Sequence, residues 1–160
     1  MDSDPMKVAD IAIYLKQVVM TSSGTCLFLG NDIKTFLIYV DSVMGEQIRF
    51  AFTEPTQSRP LTPDFLRYLL CGLEASIRNI VIYHADKGTF FSKVICQQSG
   101  GCLRTIEMDV RPSDAILLSI GMNKPMTITK DLWNSLSDTS DLLRNFSKLK
   151  EKNGKFDESK

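Results

Sequence analysis

The stretch Arg111-Pro112-Ser113-Asp114-Ala115-Ile116-Leu117-Leu118-Ser119-Ile120-Gly121 constrains this chain more than any other. A mostly apolar strand, Cys102 to Val110, runs straight into it. Proline suits the first helical turn, where its missing N–H is no loss, and Ser113 is placed to cap. Asp114 puts negative charge near the positive end of the helix dipole. Ala115 to Ile120 are apolar almost all round, which predicts a buried helix, and Gly121 reads as its stop. One strand-to-helix turn therefore gathers Asp109, Arg111, Ser113 and Asp114.

The rest of the chain must supply the layer against which that helix is buried. Its 160 residues suffice for one core without staples. Val8 to Val19, Thr25 to Leu29 and Thr35 to Val40 read as three strands of a meander, with turns at Ser22-Ser23-Gly24 and Gly30-Asn31-Asp32. Val43 to Phe52 has helical spacing. Thr62 is a natural N-cap with Pro63 at the first helical position, and Phe65, Leu66, Leu69, Leu70 and Leu73 form the expected buried stripe of a second helix ending near Ser76.

Ile77 to Ala85 contains Ile80-Val81-Ile82-Tyr83, apolar on both faces and so expected at the centre of the sheet. Asp86-Lys87-Gly88 fits a three-residue hairpin loop leading to Thr89 to Cys96. Pro125 to Ile128 is a short extended piece, and Thr129 caps a helix through Leu132, Trp133 and Leu136. Leu142, Phe146 and Leu149 are spaced for a last amphipathic helix before a polar, lysine-rich end from Lys150 to Lys160. Strands and helices without regular alternation predict an α+β fold. We expect a single domain at residues 1–136, with a mixed or antiparallel sheet of about six strands and three to five helices. Residues 137–160 add an amphipathic helix and polar tail.

Composition narrows the function classes. Nineteen basic residues balance nineteen acidic ones, so there is no general basic excess to bind nucleic acid. No apolar run reaches membrane-spanning length and the start of the chain lacks a secretory pattern, which predicts a cytoplasmic protein. Cysteines 26, 71, 96 and 102 show no zinc spacing. Cys96 and Cys102 flank a Gly-rich turn and could face each other, although free thiols in a reducing compartment are the better reading. The single histidine, His84, falls at a strand end and reads as a surface residue.

Two segments share a frame at a helix start, Arg59-Pro60-Leu61-Thr62-Pro63-Asp64 and Arg111-Pro112-Ser113-Asp114-Ala115-Ile116. With the hairpin Lys87-Gly88-Thr89-Phe90-Phe91-Ser92 and the closing Pro125-Met126-Thr127-Ile128, they resemble the bifunctional nuclease family over about residues 7–136. The family's histidine in the first segment is Pro63 here, and its Glu-Ala in the first helix falls at Met44-Gly45.

The resemblance implies a hydrolase that cleaves RNA and DNA phosphodiester bonds weakly, assisted by Mg²⁺ or Mn²⁺, with no organic cofactor. On that reading Arg59 and Arg111 hold phosphate, while Asp64, Asp109 and Asp114 orient water or hold metal, Asp109 and Asp114 being the metal pair. Residue chemistry alone favours a plainer account, in which Asp64 and Asp114 serve the helix starts and pair with arginines. The alternative function is a non-catalytic, homo-oligomeric interaction or ligand-binding module of the same fold.

Overall fold

The computed structural model describes residues 10–53, 59–99 and 104–154, with side chains as far as residue 148. Among these residues seven strands form one mixed sheet. They are β1 (Ile11–Thr21), β2 (Gly24–Gly30), β3 (Thr35–Val40), β4 (Ala75–Asp86), β5 (Thr89–Gln98), β6 (Arg104–Val110) and β7 (Met126–Ile128). Five helices among the described residues accompany them: α1 (Ser42–Thr53), α2 (Thr62–Gly72), α3 (Pro112–Met122), α4 (Lys130–Ser135) and α5 (Ser140–Gly154). The sheet order is β3-β2-β1-β7-β4-β5-β6.

The seventh strand is what joins two meanders into one sheet. β7 pairs antiparallel with β1 and parallel with β4, through Met126, Thr127 and Ile128 on both sides. Three residues carry no alternation to read, so this piece shows itself as a strand only through its partners. β4 lies inside the sheet as its apolar run requires, with Ile80, Val81 and Ile82 all buried. A bulge between Leu15 and Gln17 breaks the alternation of β1. It frees the Lys16 ammonium to donate to the Asn31 carbonyl at 2.7 Å and the Thr35 hydroxyl at 3.0 Å.

The core lies between one face of the sheet and the helices α1 and α3, centred on Leu27, Leu29, Phe36, Ile48, Ile80, Ile82, Ala115 and Ile116. α5 packs against the opposite face, where Phe146 meets Phe28 edge-on with ring centroids 6.0 Å apart. Among the described residues no helix is long and apolar enough to cross a membrane.

Several local expectations are corrected. The Asp86-Lys87-Gly88 loop is shorter than read: Asp86 pairs with Thr89, leaving Lys87 and Gly88 alone at φ 48° and 82°. Positive φ at both central positions is the type I′ arrangement that matches strand twist. α3 runs through Gly121 to Met122, and Asn123, left-handed at φ 50°, ends it. α2 is capped by Leu61 and not Thr62, and it stops at Gly72, short of Ser76. Neither Arg111 nor Thr129, which occupy the caps of α3 and α4, makes a side-chain cap bond, so Ser113 is not a cap. The Thr129 hydroxyl donates instead to the Tyr83 carbonyl.

The largest correction concerns the stripe on α2. Leu66 and Leu70 are half-buried, but Phe65, Leu69 and Leu73 are exposed, and only Pro63 of this helix is fully buried. α3 is likewise less enclosed than expected, since Leu117 to Ile120 are half-buried. Val8, Cys102 and Leu149 lie outside the described residues or side chains.

Candidate functional site

The turn from β6 into α3 is built as its sequence dictates. A residue before proline is driven to extended backbone, and Arg111 sits at φ −63°, ψ 142°. Its carbonyl accepts the Ala115 N–H at 3.0 Å, opening the helix. Its guanidinium forks onto Asp114, Nε to Oδ2 at 2.7 Å and Nη2 to Oδ1 at 3.3 Å. That side chain remains three-quarters exposed, at 75%, against 32% for Asp114. The Asp114 hydrogen bond and charge push the Arg111 pKa further up, and the Asp41 charge adds to the effect.

Asp41 was not among the candidates read from the sequence. It precedes α1, where its Oδ1 accepts the Met44 N–H at 2.9 Å and its carbonyl accepts that of Gly45. The signal was present: an aspartate two residues before a helical run is an ordinary N-cap. The Asp41 charge at the start of α1 thus acts on Arg111 at the start of α3.

The other candidates lie elsewhere. Asp109 is exposed on β6 and accepts a long 3.5 Å bond from the Tyr83 hydroxyl. Its strand neighbours Met108 and Val110 are in register with buried Val94 and Ser92 on the core side. Strand alternation therefore turns Asp109 to the opposite face. There Lys93 pairs with Glu107 at 2.6 Å and lies over the Tyr83 ring.

Asp64 serves the start of α2. It accepts the Leu61 N–H at 3.0 Å and sits 3.7 Å from Arg67. Pro63 beside it packs on Gly121, near the far end of α3 from Asp114. Seven residues of helix separate Asp114 from Gly121, about 10 Å of rise. Arg59 is exposed and makes no ion pair among the described residues. The structure brings Arg111 and Asp114 together and keeps Asp64 and Asp109 apart from them.

A Mg²⁺ or Mn²⁺ ion needs several oxygen ligands converging on one point. Both Asp114 oxygens are engaged by Arg111, and Asp109 faces away. Among the described residues no group of three or more His, Cys, Asp or Glu could hold a metal. The donor set does not fit a divalent ion. His84 is exposed, with its ring 5.5 Å from that of Phe91, as a surface residue should be. The first segment instead lines a cleft of about 610 Å³ between α1, α2 and α3, where Asp64 and Glu46 accompany Phe50, Leu117 and Ile120.

A family model, the bifunctional nuclease domain, matches residues 27–141, more than half of the chain. The chain belongs to the bifunctional nuclease domain family. Two uncharacterized proteins of Mycobacterium tuberculosis, from strains CDC 1551 and H37Rv, are each 30% identical to it over 70 residues. That segment is 44% of this chain and 39% of each relative, so the match spans well under half of those proteins.

Two departures of this bifunctional nuclease domain from the family pattern now have physical settings. Pro63 is buried against Gly121. Gly45 is buried where α1 crosses Thr25 of β2, and an added Cβ would lie 2.0 Å from the Thr25 hydroxyl oxygen.

Proposed function

We propose that this bifunctional nuclease domain acts on RNA and DNA, engaging the phosphodiester backbone at Arg111 and hydrolysing it weakly. The observation that carries the reading is the exposed Arg111 fork at the start of α3, within the segment the family model matches. A guanidinium suits phosphate because its planar donors meet two oxygens at once. Its bond to Asp114 is solvent-exposed, and such pairs contribute little, so an incoming phosphate can displace the carboxylate. Released, Asp114 accepts from a water beside the phosphate. Arg59 offers a second, separate contact to the backbone.

The experiment is a cleavage assay on the whole chain with single- and double-stranded RNA and DNA, in Mg²⁺, in Mn²⁺ and in chelator. Weak cleavage that is lost in Arg111→Gln and reduced in Asp114→Asn is expected. No cleavage of any substrate in any of the three conditions overturns the reading.

The separation of Asp64, Asp109 and Asp114 favours a second reading, a non-catalytic module of the same fold that works by assembling as a homo-oligomer. Its mark is a chain that self-associates, leaves every substrate intact and is indifferent to Arg111→Gln.

A further inference from the structure

We propose that the cleft between α1, α2 and α3 is a binding site for a small organic cation, an amine carried on an aromatic or aliphatic body. The site goes beyond the cleavage reading and depends on none of it: its α3 wall begins at Leu117, past the turn that holds Arg111 and Asp114.

The cleft measures about 610 Å³, within the range that small-molecule sites occupy. Helical spacing builds its walls. Val43, Glu46, Gln47, Phe50 and Ala51 recur at steps of three and four along α1, which puts all five on a single face. Leu117, Ile120 and Gly121 do the same on α3. The first turn of α2 supplies the third wall, and it touches α3 directly, where a Cβ on Gly121 would stand 2.6 Å from that of Pro63.

The sign of these walls decides the ligand. Their two charged residues, Glu46 and Asp64, are both acidic, and among the described residues no Lys, Arg or His joins them in the lining. Glu46 makes no ion pair among the described residues. Asp64 accepts the Leu61 N–H at 3.0 Å, and its ion pair to Arg67 is long at 3.7 Å and exposed, so it yields readily. The stretch that links α1 to α2, Glu54 to Ser58, adds one acidic residue and no basic one.

An anion is therefore repelled, and a neutral molecule gains little from the carboxylates. An ammonium donates to Glu46 and Asp64 while its body lies against Phe50, Leu117 and Ile120, with few polar groups orienting a mainly apolar ligand. The same sign turns phosphate away, so nucleic acid does not compete for this cleft.

The test is amide NMR of the whole chain titrated with three molecules of one shape: phenethylamine, phenethyl alcohol and hydrocinnamate. We expect phenethylamine to shift the amides of α1 from Val43 to Ala51 and of α2 from Leu61 to Asp64, with a Kd of about 1 mM, as suits so small a molecule. The alcohol should bind more weakly and the carboxylate not at all. Glu46 is exposed, and Glu46→Gln should weaken the amine about fivefold and leave the alcohol unaffected. Equal binding of all three, shifts confined to other parts of the fold, or no shift with any of them overturns the proposal. Amine shifts that fade as protein concentration rises assign the cleft to a second copy and overturn it as well. The wild-type series decides the matter whatever the stability of the variant, and none of its outcomes bears on the cleavage assay.

Discussion

Restoring the family's alanine at Gly45 should destabilise this protein, which runs against the usual expectation for glycine in a helix. Alanine in place of an interior helical glycine ordinarily gains about 1 kcal/mol. Here the new methyl would sit 2.0 Å from Oγ1, 2.3 Å from Cβ and 2.7 Å from Cγ2 of Thr25. Thr25 cannot retreat. It is fully buried, and it pairs with Met20 of β1 on one side and Val40 of β3 on the other. α1 must lift by more than an ångström, loosening Ile48, which is also fully buried. Overpacking of this kind costs about 1–3 kcal/mol, and contact with the root of a locked side chain belongs at the upper end. Set against the propensity gain, the net loss is about 2 kcal/mol, or about 4–8 °C in Tm for a chain of this size. Urea and thermal unfolding of Gly45→Ala measure it. Gly72→Ala is the control, because nothing lies within 4 Å of its added Cβ, and it should be neutral or slightly stabilising. A Gly45→Ala protein as stable as wild type would refute the packing argument.

Acid should loosen the junction between β3 and α5. The Asp138 carboxyl is held below its usual range by the Ser140 hydroxyl, then by the Thr35 and Ser140 N–H groups. A lowered folded pKa means that its contribution is present above the unfolded value, about 3.9, and is lost as pH falls through the folded one. Urea midpoints stepped from pH 6 to pH 2.5 should fall more steeply below about pH 4 in wild type than in Asp138→Asn, and parallel curves would count against it. Burial pushes the Cys26 and Cys96 thiols up, whereas Cys71 is exposed. A thiol reagent under native conditions should therefore modify Cys71 before Cys26 and Cys96, by peptide mass spectrometry, and prior labelling of Cys96 would contradict the fold. Asp114→Asn should leave Tm nearly unchanged, since its bond to Arg111 is a solvent-exposed one between residues three apart; a large drop would show that the pair is structural.

Periodicity made most elements legible. β3 begins and ends at Thr35 and Val40 as its apolar run says, and the four-residue apolar core of β4 is central because both of its faces need cover. What periodicity cannot say is whether a partner covers a stripe. α2 has the spacing of a buried helix, yet it crosses the end of the helical layer with Pro63 inward and Phe65, Leu69 and Leu73 outward. Helix ends failed for a related reason. Threonine and serine mark caps by their hydrogen bonds, but proline at the following positions already fixes the backbone, so Leu61 and Arg111 hold those sites without a side-chain bond. The candidate site divided in the same way. Arg111 and Asp114, three residues apart, meet because the extended N-cap residue and the third helical residue lie side by side at a helix start. Asp64 and Asp109 are of the right type, and their positions depend on packing and strand parity across the whole fold.

Those placements bear on how the two departures from the family pattern relate to function. Pro63 is held by contact with Gly121, where an added Cβ would stand 2.6 Å from the proline Cβ. Gly45 is held by contact with Thr25, so each departure occupies a space that its neighbour defines. Neither position adjoins the Arg111 fork: Pro63 is at the other end of α3, and Gly45 points into the sheet. The histidine that the resemblance places at 63 is thus remote from the arginine, whereas the glutamate it places at Met44 falls in the first turn of α1, beside Asp41, whose charge reaches Arg111. Chemistry that needed all of these groups at once would require α2 to reach the start of α3, across about 10 Å of helix. Engagement through Arg111 and Asp114 requires no such movement.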